Sequence, residues 1–372
     1  MHSAGPVVIH VMHDEKFNDM AIRQFESSGI CRNEYWVLSP RLLLTKSSAA
    51  ISCGEDELIK QLNRKDLAAV VFHSLPPARY KLLGRVGVDK LVFWIGWGYD
   101  YYSITSRADG LELVGNATRR LDPTPLFVRV KRIVKRILGE LGAVDSGVSS
   151  LERVDYFSPV LDVEFEKVVD AVGLRSKYIE WNYGTVEDDF SVIGQERVGG
   201  KDVLVGNSAS LTNNHVEIFE LLAREDGFKG RIVCPLSYGD ARYAEKVSGL
   251  GRDLFGDRFL PLLEFMPNRE YLKIIGSCGF VVMGHLRQQA VGNVCSALFL
   301  GAKVYLDSRN PLSNWLASRG AVIGDVSRLD FIPLSDREIE VNRSVVLGQW
   351  GRVAQARKTE RFLLKAISRF SE

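Results

Sequence analysis

A short apolar run, a polar loop and then a stretch of helical periodicity recur along both halves of this chain, and that repeating unit narrows the possible folds more than any other feature. In the first half the apolar runs are residues 6–12, 35–38, 68–73 and 90–94, with helices expected over 17–27, 55–62 and 76–85. Two further strands, 153–157 and 177–181, close that half around another helix. In the second half the runs are 201–205, 231–234, 258–262, 279–283 and 303–306, and the tail 352–370 reads as one long helix. Strands this uniformly apolar are covered on both faces, so the alternation implies an α/β fold with parallel sheets. Ligands of such sheets sit at the carboxyl ends of the strands, which places His13, Asp14, His73, Ser74 and the stretch IGWGYDYY from Ile95 to Tyr102 on one rim.

With 372 residues, 46% of them hydrophobic and 25% charged, the chain is long enough for two domains. An acidic, glycine-flanked stretch at 183–200 marks the boundary. The expected division is an N-terminal domain 1–182, a linker 183–200, a C-terminal domain 201–350 and a final helix 351–372 returning to the first domain. A net charge of +2 argues against a nucleic-acid binder. Cys31, Cys53, Cys234, Cys278 and Cys295 are scattered and odd in number, which argues against a disulfide framework and against a zinc site. The N-terminus carries no basic segment leading an apolar signal core, and no apolar run reaches the roughly 18 residues of a membrane span. A cytosolic protein, or one on a cytosolic membrane surface, is expected.

Two strand-to-helix junctions favour an anion. The first is KDVLVGNSASLTNNHVEIFELL, where Asn207 and Ser208 lie in a polar turn ahead of a helix. The second is GHLRQQAVGN, where Arg287 brings a permanent cation, Gln288 and Gln289 bring amide donors, and Gly292 with Asn293 leaves room at a helix start. Unpaired N–H groups and the positive end of a helix dipole point toward such loops. Together they are expected to cradle a diphosphate. The loops holding Tyr238 and, beside it, Glu264 and Phe265 follow adjacent strands and are placed to contact a base.

Two other segments carry a chemical signature. Trp94, Trp97, Tyr99, Tyr101 and Tyr102 around Asp100 suit the apolar face and the hydroxyls of a sugar, or pack on their own domain. On a helix over 127–141, Phe127, Val130, Ile133, Val134, Ile137, Leu138 and Leu141 share one face, while Arg129, Lys131, Arg132, Lys135 and Arg136 fill the other. That is either a solvated basic face or a surface for anionic lipid. Residues 103–125 read as an irregular polar loop.

The outline is that of a B-type (GT-B) glycosyltransferase, two Rossmann-like domains facing across a cleft. VLVGNS at Val203, FMPNREYL at Phe265, HLRQQAVGN at His285, RNPLSNW at Arg309 and WGYDYY at Trp97 also resemble the TDP-4-acetamido-4,6-dideoxygalactose (Fuc4NAc) transferases of enterobacterial common antigen synthesis. The resemblance covers most of the chain and is densest in the C-terminal half. It implies transfer of a deoxy-amino sugar from a TDP-sugar to a polyprenyl-diphosphate-linked saccharide, at the cytoplasmic face of the bacterial inner membrane. No bound metal is expected; Arg287 and the helix start at Gly292 and Asn293 would stabilise the departing diphosphate. If the reaction inverts, Asp100 and Asp14 are the candidate bases and His13 the third. A sugar-nucleotide epimerase or a nucleotide-sugar-binding protein of the same fold is the alternative.

Overall fold

The computed structural model describes residues 5–108, 112–125, 127–128, 148–190, 197–198, 200–225 and 227–370. The chain separates into two compact units. The first comprises Met1–Gly110, Arg136–Thr185 and Arg352–Glu372; the second comprises Leu111–Lys135 and Val186–Gly351. Residues 112–125, counted with the N-terminal half in the sequence reading, cluster with the second unit.

The first unit is built on a parallel sheet of β1 (Val7–Met12), β2 (Arg32–Leu38), β3 (Ala50–Cys53), β4 (Leu67–His73), β5 (Leu91–Ile95), β6 (Tyr156–Ser158) and β7 (Lys177–Tyr178). The strand order is β3-β2-β1-β4-β5-β6-β7. Ile9 pairs with Glu34 on one side and Val70 on the other, so β1 is central, and all of its residues are buried. Helix Asn18–Glu26 turns Ala21, Ile22 and Phe25 onto the sheet. The terminal helix Arg352–Ala366 adds Phe362, Leu363 and Ala366 to the same core.

The second unit repeats the plan with β8 (Val203–Val205), β9 (Ile232–Pro235), β10 (Phe259–Leu262), β11 (Phe280–Met283), β12 (Lys303–Leu306) and β13 (Gly324–Asp325), all parallel, in the order β10-β9-β8-β11-β12-β13. In both sheets the winding reverses beside the first strand, between β1 and β4 and between β8 and β11. A crevice opens at such a reversal, because the connections leave on opposite faces.

Three elements depart from the sequence reading. β3 is half exposed at the sheet edge and lacks an apolar run. The segment expected to be irregular from 103 instead continues a helix, Tyr99–Ala108, that starts directly after Gly98. The proline-led helix expected over 76–85 is a 3₁₀ turn, Pro77–Arg79, followed by the short helix Tyr80–Leu83.

Candidate functional site

In the second unit the loops leaving β8 and β11 are cross-linked at the winding reversal. The Asn213 side chain, fully buried, accepts through Oδ1 from the Asn207 backbone N–H at 2.8 Å and bonds His285 Nε2 at 2.8 Å. Its Nδ2 donates to Ser208 Oγ and to the Ser210 carbonyl, both at 3.2 Å. Because that oxygen already takes a backbone N–H, His285 is fixed with its proton on Nε2. A second link runs from Gln289 Nε2 to Asn207 Oδ1 at 3.0 Å, and Thr212 Oγ1 donates to Gln289 Oε1 at 2.8 Å. Asn207, Ser208 and Gln289 are thus held in one constellation, while Gln288 is buried next to Arg287, whose Nη1 donates to the Gln288 carbonyl at 3.0 Å.

The two helix starts differ. Helix His215–Ala223 has its first turn occupied: Val216 N–H donates to Thr118 Oγ1 at 3.1 Å, and Glu217 accepts from the Ala117 and Thr118 backbone N–H groups at 2.9 and 3.1 Å. Residues 113–118 of the chain therefore sit where the sequence reading expected an open anion position. Helix Val291–Leu300 begins at Ala290, in the left-handed region at φ 57°, without a side-chain cap. The helix start thus follows directly on the loop carrying Arg287. Within that turn, Asn293 Nδ2 donates to the Tyr271 hydroxyl at 2.9 Å, and a side chain at Gly292 would meet Phe190 at 3.1 Å. Gly292 therefore packs closely against Phe190 at the helix start.

Tyr238 lies beside the first loop, with its carbonyl accepting from Ala209 N–H at 2.6 Å and its side chain 61% exposed. Glu264 and Phe265 follow β10, two strands from the reversal; both are exposed, Phe265 to 74%. No hydrogen bond among the described residues joins them to the Arg287 loop. A cavity of about 490 Å³ is lined by Gly115, Asn214, Glu217, Gly284, Leu286 and Arg309 among others, so it reaches the loop that carries Arg287.

In the first unit the rim at the β1/β4 reversal holds His13, Asp14 and Ser74. Ser74 adopts φ 64°, and its hydroxyl bonds the Tyr99 hydroxyl at 2.9 Å. His73 is fully buried rather than on the rim. His10 Nε2 donates to Asn33 Oδ1 at 3.2 Å, which leaves His10 Nδ1 to accept from His73 Nε2 at 2.9 Å and His73 Nδ1 to accept from the Tyr183 hydroxyl at 2.6 Å. Burial lowers both imidazoles, His10 to about 3 and His73 well below its ordinary range, so the chain of bonds is neutral and orients Tyr183. Nothing in the residue pattern disclosed this network; it needs β1, β4 and the chain after β7 brought together.

The three candidate bases stand in different environments. Asp100 is 1% exposed, and its carboxylate accepts from Leu75 N–H at 2.9 Å, Trp94 Nε1 at 2.8 Å and Trp97 N–H at 2.9 Å. Burial raises its pKa against those donors. Asp14 accepts from the backbone N–H groups of Leu43, Leu44 and Thr45 at 2.5 to 3.0 Å. Burial alone would raise its pKa, but these donors hold the carboxyl below the usual range. His13 is half-buried; desolvation first, and the Arg79 charge second, lower its pKa below 6.5 and leave the imidazole neutral at pH 7. Of the aromatic stretch, Trp94, Tyr101 and Tyr102 are buried, with both tyrosine hydroxyls on Glu164, whereas Tyr99 is 47% exposed and Trp97 is half-buried against Phe17 and Tyr183. The basic segment singled out at 127–141 lies outside the described residues apart from Phe127 and Val128.

Comparison with known proteins adds a match to a family model over part of the chain, and a fold. Residues 188–323, which hold both cross-linked loops, match the family model described as 4-alpha-L-fucosyltransferase, glycosyl transferase group 56. A glycosyltransferase from Rickettsia africae superposes with a TM-score of 0.64 at 8% identity, over 98% of this chain and 99% of that one. The α,α-trehalose-phosphate synthase (UDP-forming) from Burkholderia xenovorans, in complex with glucose-6-phosphate, gives 0.56 at 10% identity over 97% and 100%. Sucrose-phosphate synthase from Thermosynechococcus elongatus gives 0.55 at 11% identity over 98% and 96%. At such identities the likeness is one of fold, the GT-B fold. The family match and the fold together support a glycosyltransferase.

Proposed function

We propose that this chain transfers a deoxy-amino sugar of the Fuc4NAc kind from a TDP-sugar to a polyprenyl-diphosphate-linked saccharide, at the cytoplasmic face of a bacterial inner membrane. The observation that carries the donor half is the uncapped start of helix Val291–Leu300 next to Arg287, on a loop locked to its neighbour through Asn213 and Gln289. A helix start without a side-chain cap and a guanidinium held on the Gln288 carbonyl suit the charge that grows on a departing diphosphate. That role would ask nothing of a metal. Tyr238 and Phe265, both exposed, offer rings to a thymine base. The choice of TDP, of the sugar and of the acceptor rests on the sequence resemblance.

On the acceptor side, His13 is the group best suited to take a hydroxyl proton. It is neutral at pH 7 and half-exposed, whereas Asp14 and Asp100 spend their lone pairs on backbone and indole donors. Trp97 and Tyr99 remain as the apolar face for a sugar. Among the described residues no helix is long and apolar enough to cross a membrane, so attachment would be peripheral.

Calorimetry with TDP, UDP and GDP tests the proposal directly. TDP should bind most tightly, and absence of binding by all three at millimolar concentration would sink the reading. Incubation with the TDP-sugar alone separates the alternatives: slow release of TDP fits a transferase, and a new sugar isomer fits an epimerase.

A further inference from the structure

The geometry points to a membrane-docking loop at residues 39–48 of the first unit, with Leu43 and Leu44 entering the lipid surface and Arg41 and Lys46 meeting anionic headgroups. Leu43 is 69% exposed and Leu44 42% exposed, side by side at the carboxyl end of β2. Two adjacent exposed leucines at a loop tip make a small apolar patch of the kind that can enter a lipid surface. They are not free to fold back. Asp14 accepts the Leu43, Leu44 and Thr45 backbone N–H groups, and Asp19 accepts those of Lys46 and Ser47 at 3.0 and 2.9 Å. Asn18 Nδ2 adds a bond to Thr45 Oγ1 at 2.8 Å. Two carboxylates of the β1 connection therefore hold the loop with its leucines outward, and little ordering remains to oppose docking.

The charges favour a bilayer over a protein partner. Arg41 and Lys46 flank the leucines, both are exposed, and neither forms an ion pair among the described residues. The Lys46 ammonium donates to the Leu43 carbonyl, which keeps a cation at the backbone of the leucine pair. Apolar tips with cations at their base match the layering of an anionic membrane, acyl chains below and phosphates above. Position agrees as well. The loop is bonded to Asp14, next to His13, so a surface that receives Leu43 and Leu44 would lie beside the rim where a lipid-linked saccharide would present its hydroxyl. The preference for a bilayer rests on the acceptor class proposed above; the exposed, pinned loop does not.

The test uses the full chain and vesicles of phosphatidylglycerol and phosphatidylethanolamine, with phosphatidylcholine vesicles as the neutral comparison. Wild type should sediment with the anionic vesicles. Leu43→Ser combined with Leu44→Ser should reduce that partitioning at least about tenfold. Arg41→Gln and Lys46→Gln should each reduce it about fivefold, and raised salt should mimic them. Thermal unfolding and TDP affinity should match wild type in all variants, since none of these side chains packs in a core. Vesicle binding that is unchanged by the leucine pair, or absent from wild type, overturns the loop. Loss of TDP binding in wild type would instead strike at the transferase reading and leave the vesicle result standing.

Discussion

Arg287 and His13 carry the most exposed claims at the scale of single residues. If Arg287 holds the leaving diphosphate, Arg287→Ala should lower turnover by roughly 100-fold or more, as loss of a charge-stabilising donor does. Arg287→Lys should restore only part, because a point charge cannot reproduce the fork of a guanidinium. Single-turnover rates would measure both, and near wild-type turnover in a folded Arg287→Ala removes the residue from the site. For His13 the informative quantity is the acid limb of kcat/KM. A base must be neutral, and burial with the Arg79 charge keeps its pKa below 6.5, so activity should persist to lower pH than an ordinary imidazole allows. Removing the charge in Arg79→Gln should move that limb upward, whereas an unmoved limb would exclude His13. Asp100 shows why the sequence could not rank these groups. A carboxylate after a strand, among aromatics, reads the same whether it faces a substrate or a loop's own N–H groups, and only the positions of Leu75, Trp94 and Trp97 distinguish the two.

The cross-linked loops make their own prediction at the scale of elements. Asn213→Ala leaves the Asn207 N–H and the His285 Nε2–H without their acceptor, a loss of about 1–3 kcal/mol for each buried group stranded. Thermal unfolding should register the loss, and TDP affinity should fall further than stability if the link sets the loop's shape. Gly206→Ala belongs with it, because Gly206 sits at φ 67° and a side chain there would lie 2.7 Å from Asn213 Oδ1. Both junctions could be found from sequence, since each combines an apolar strand, small polar residues and a helical period. Other elements could not be read in the same way. β3 is an edge strand with a single buried residue, Cys53, and so leaves no apolar run. Helix Tyr99–Ala108 was hidden by Gly96 and Gly98, which mark the turn before it rather than the segment itself. Helix Asp336–Trp350 did carry a usable signal, the Ser335 to Glu338 capping box. The covering of helix His215–Ala223 by residues 113–118 had none, because Thr118 and Glu217 meet only in the folded unit.

Buried histidines bear on the stability of the whole molecule. His10, His215 and His285 are each held near pKa 3 by desolvation, while in the unfolded chain they return to about 6.5. The unfolded state thus takes up protons first. Stability should be complete above pH 6.5 and decline as pH falls toward 3, by about 1.4 kcal/mol per pH unit for each such histidine. Unfolding midpoints measured from pH 7.5 down to 4.5 would show that slope, and a flat profile would contradict it. The terminal helix has a separate consequence. Thr359 accepts from Trp181 Nε1 at 3.0 Å, Gln355 reaches the Asn182 carbonyl at 2.6 Å, and Phe362 and Leu363 lie fully inside the first unit's core. A chain ending at residue 351 therefore uncovers side chains worth about 1.5–3 kcal/mol each, and its first unit should melt early while TDP binding by the second persists. On a ribosome the same arrangement sets an order of completion. Strands made early must wait for a helix made much later: Phe25 and Phe93 have no Phe362 to close over them until the helix Arg352–Ala366 has been made, whereas the second unit has its whole sequence in hand by Gly351. Until then the nascent first sheet would keep part of one apolar face open, so it is there that a chaperone holding extended apolar segments would act.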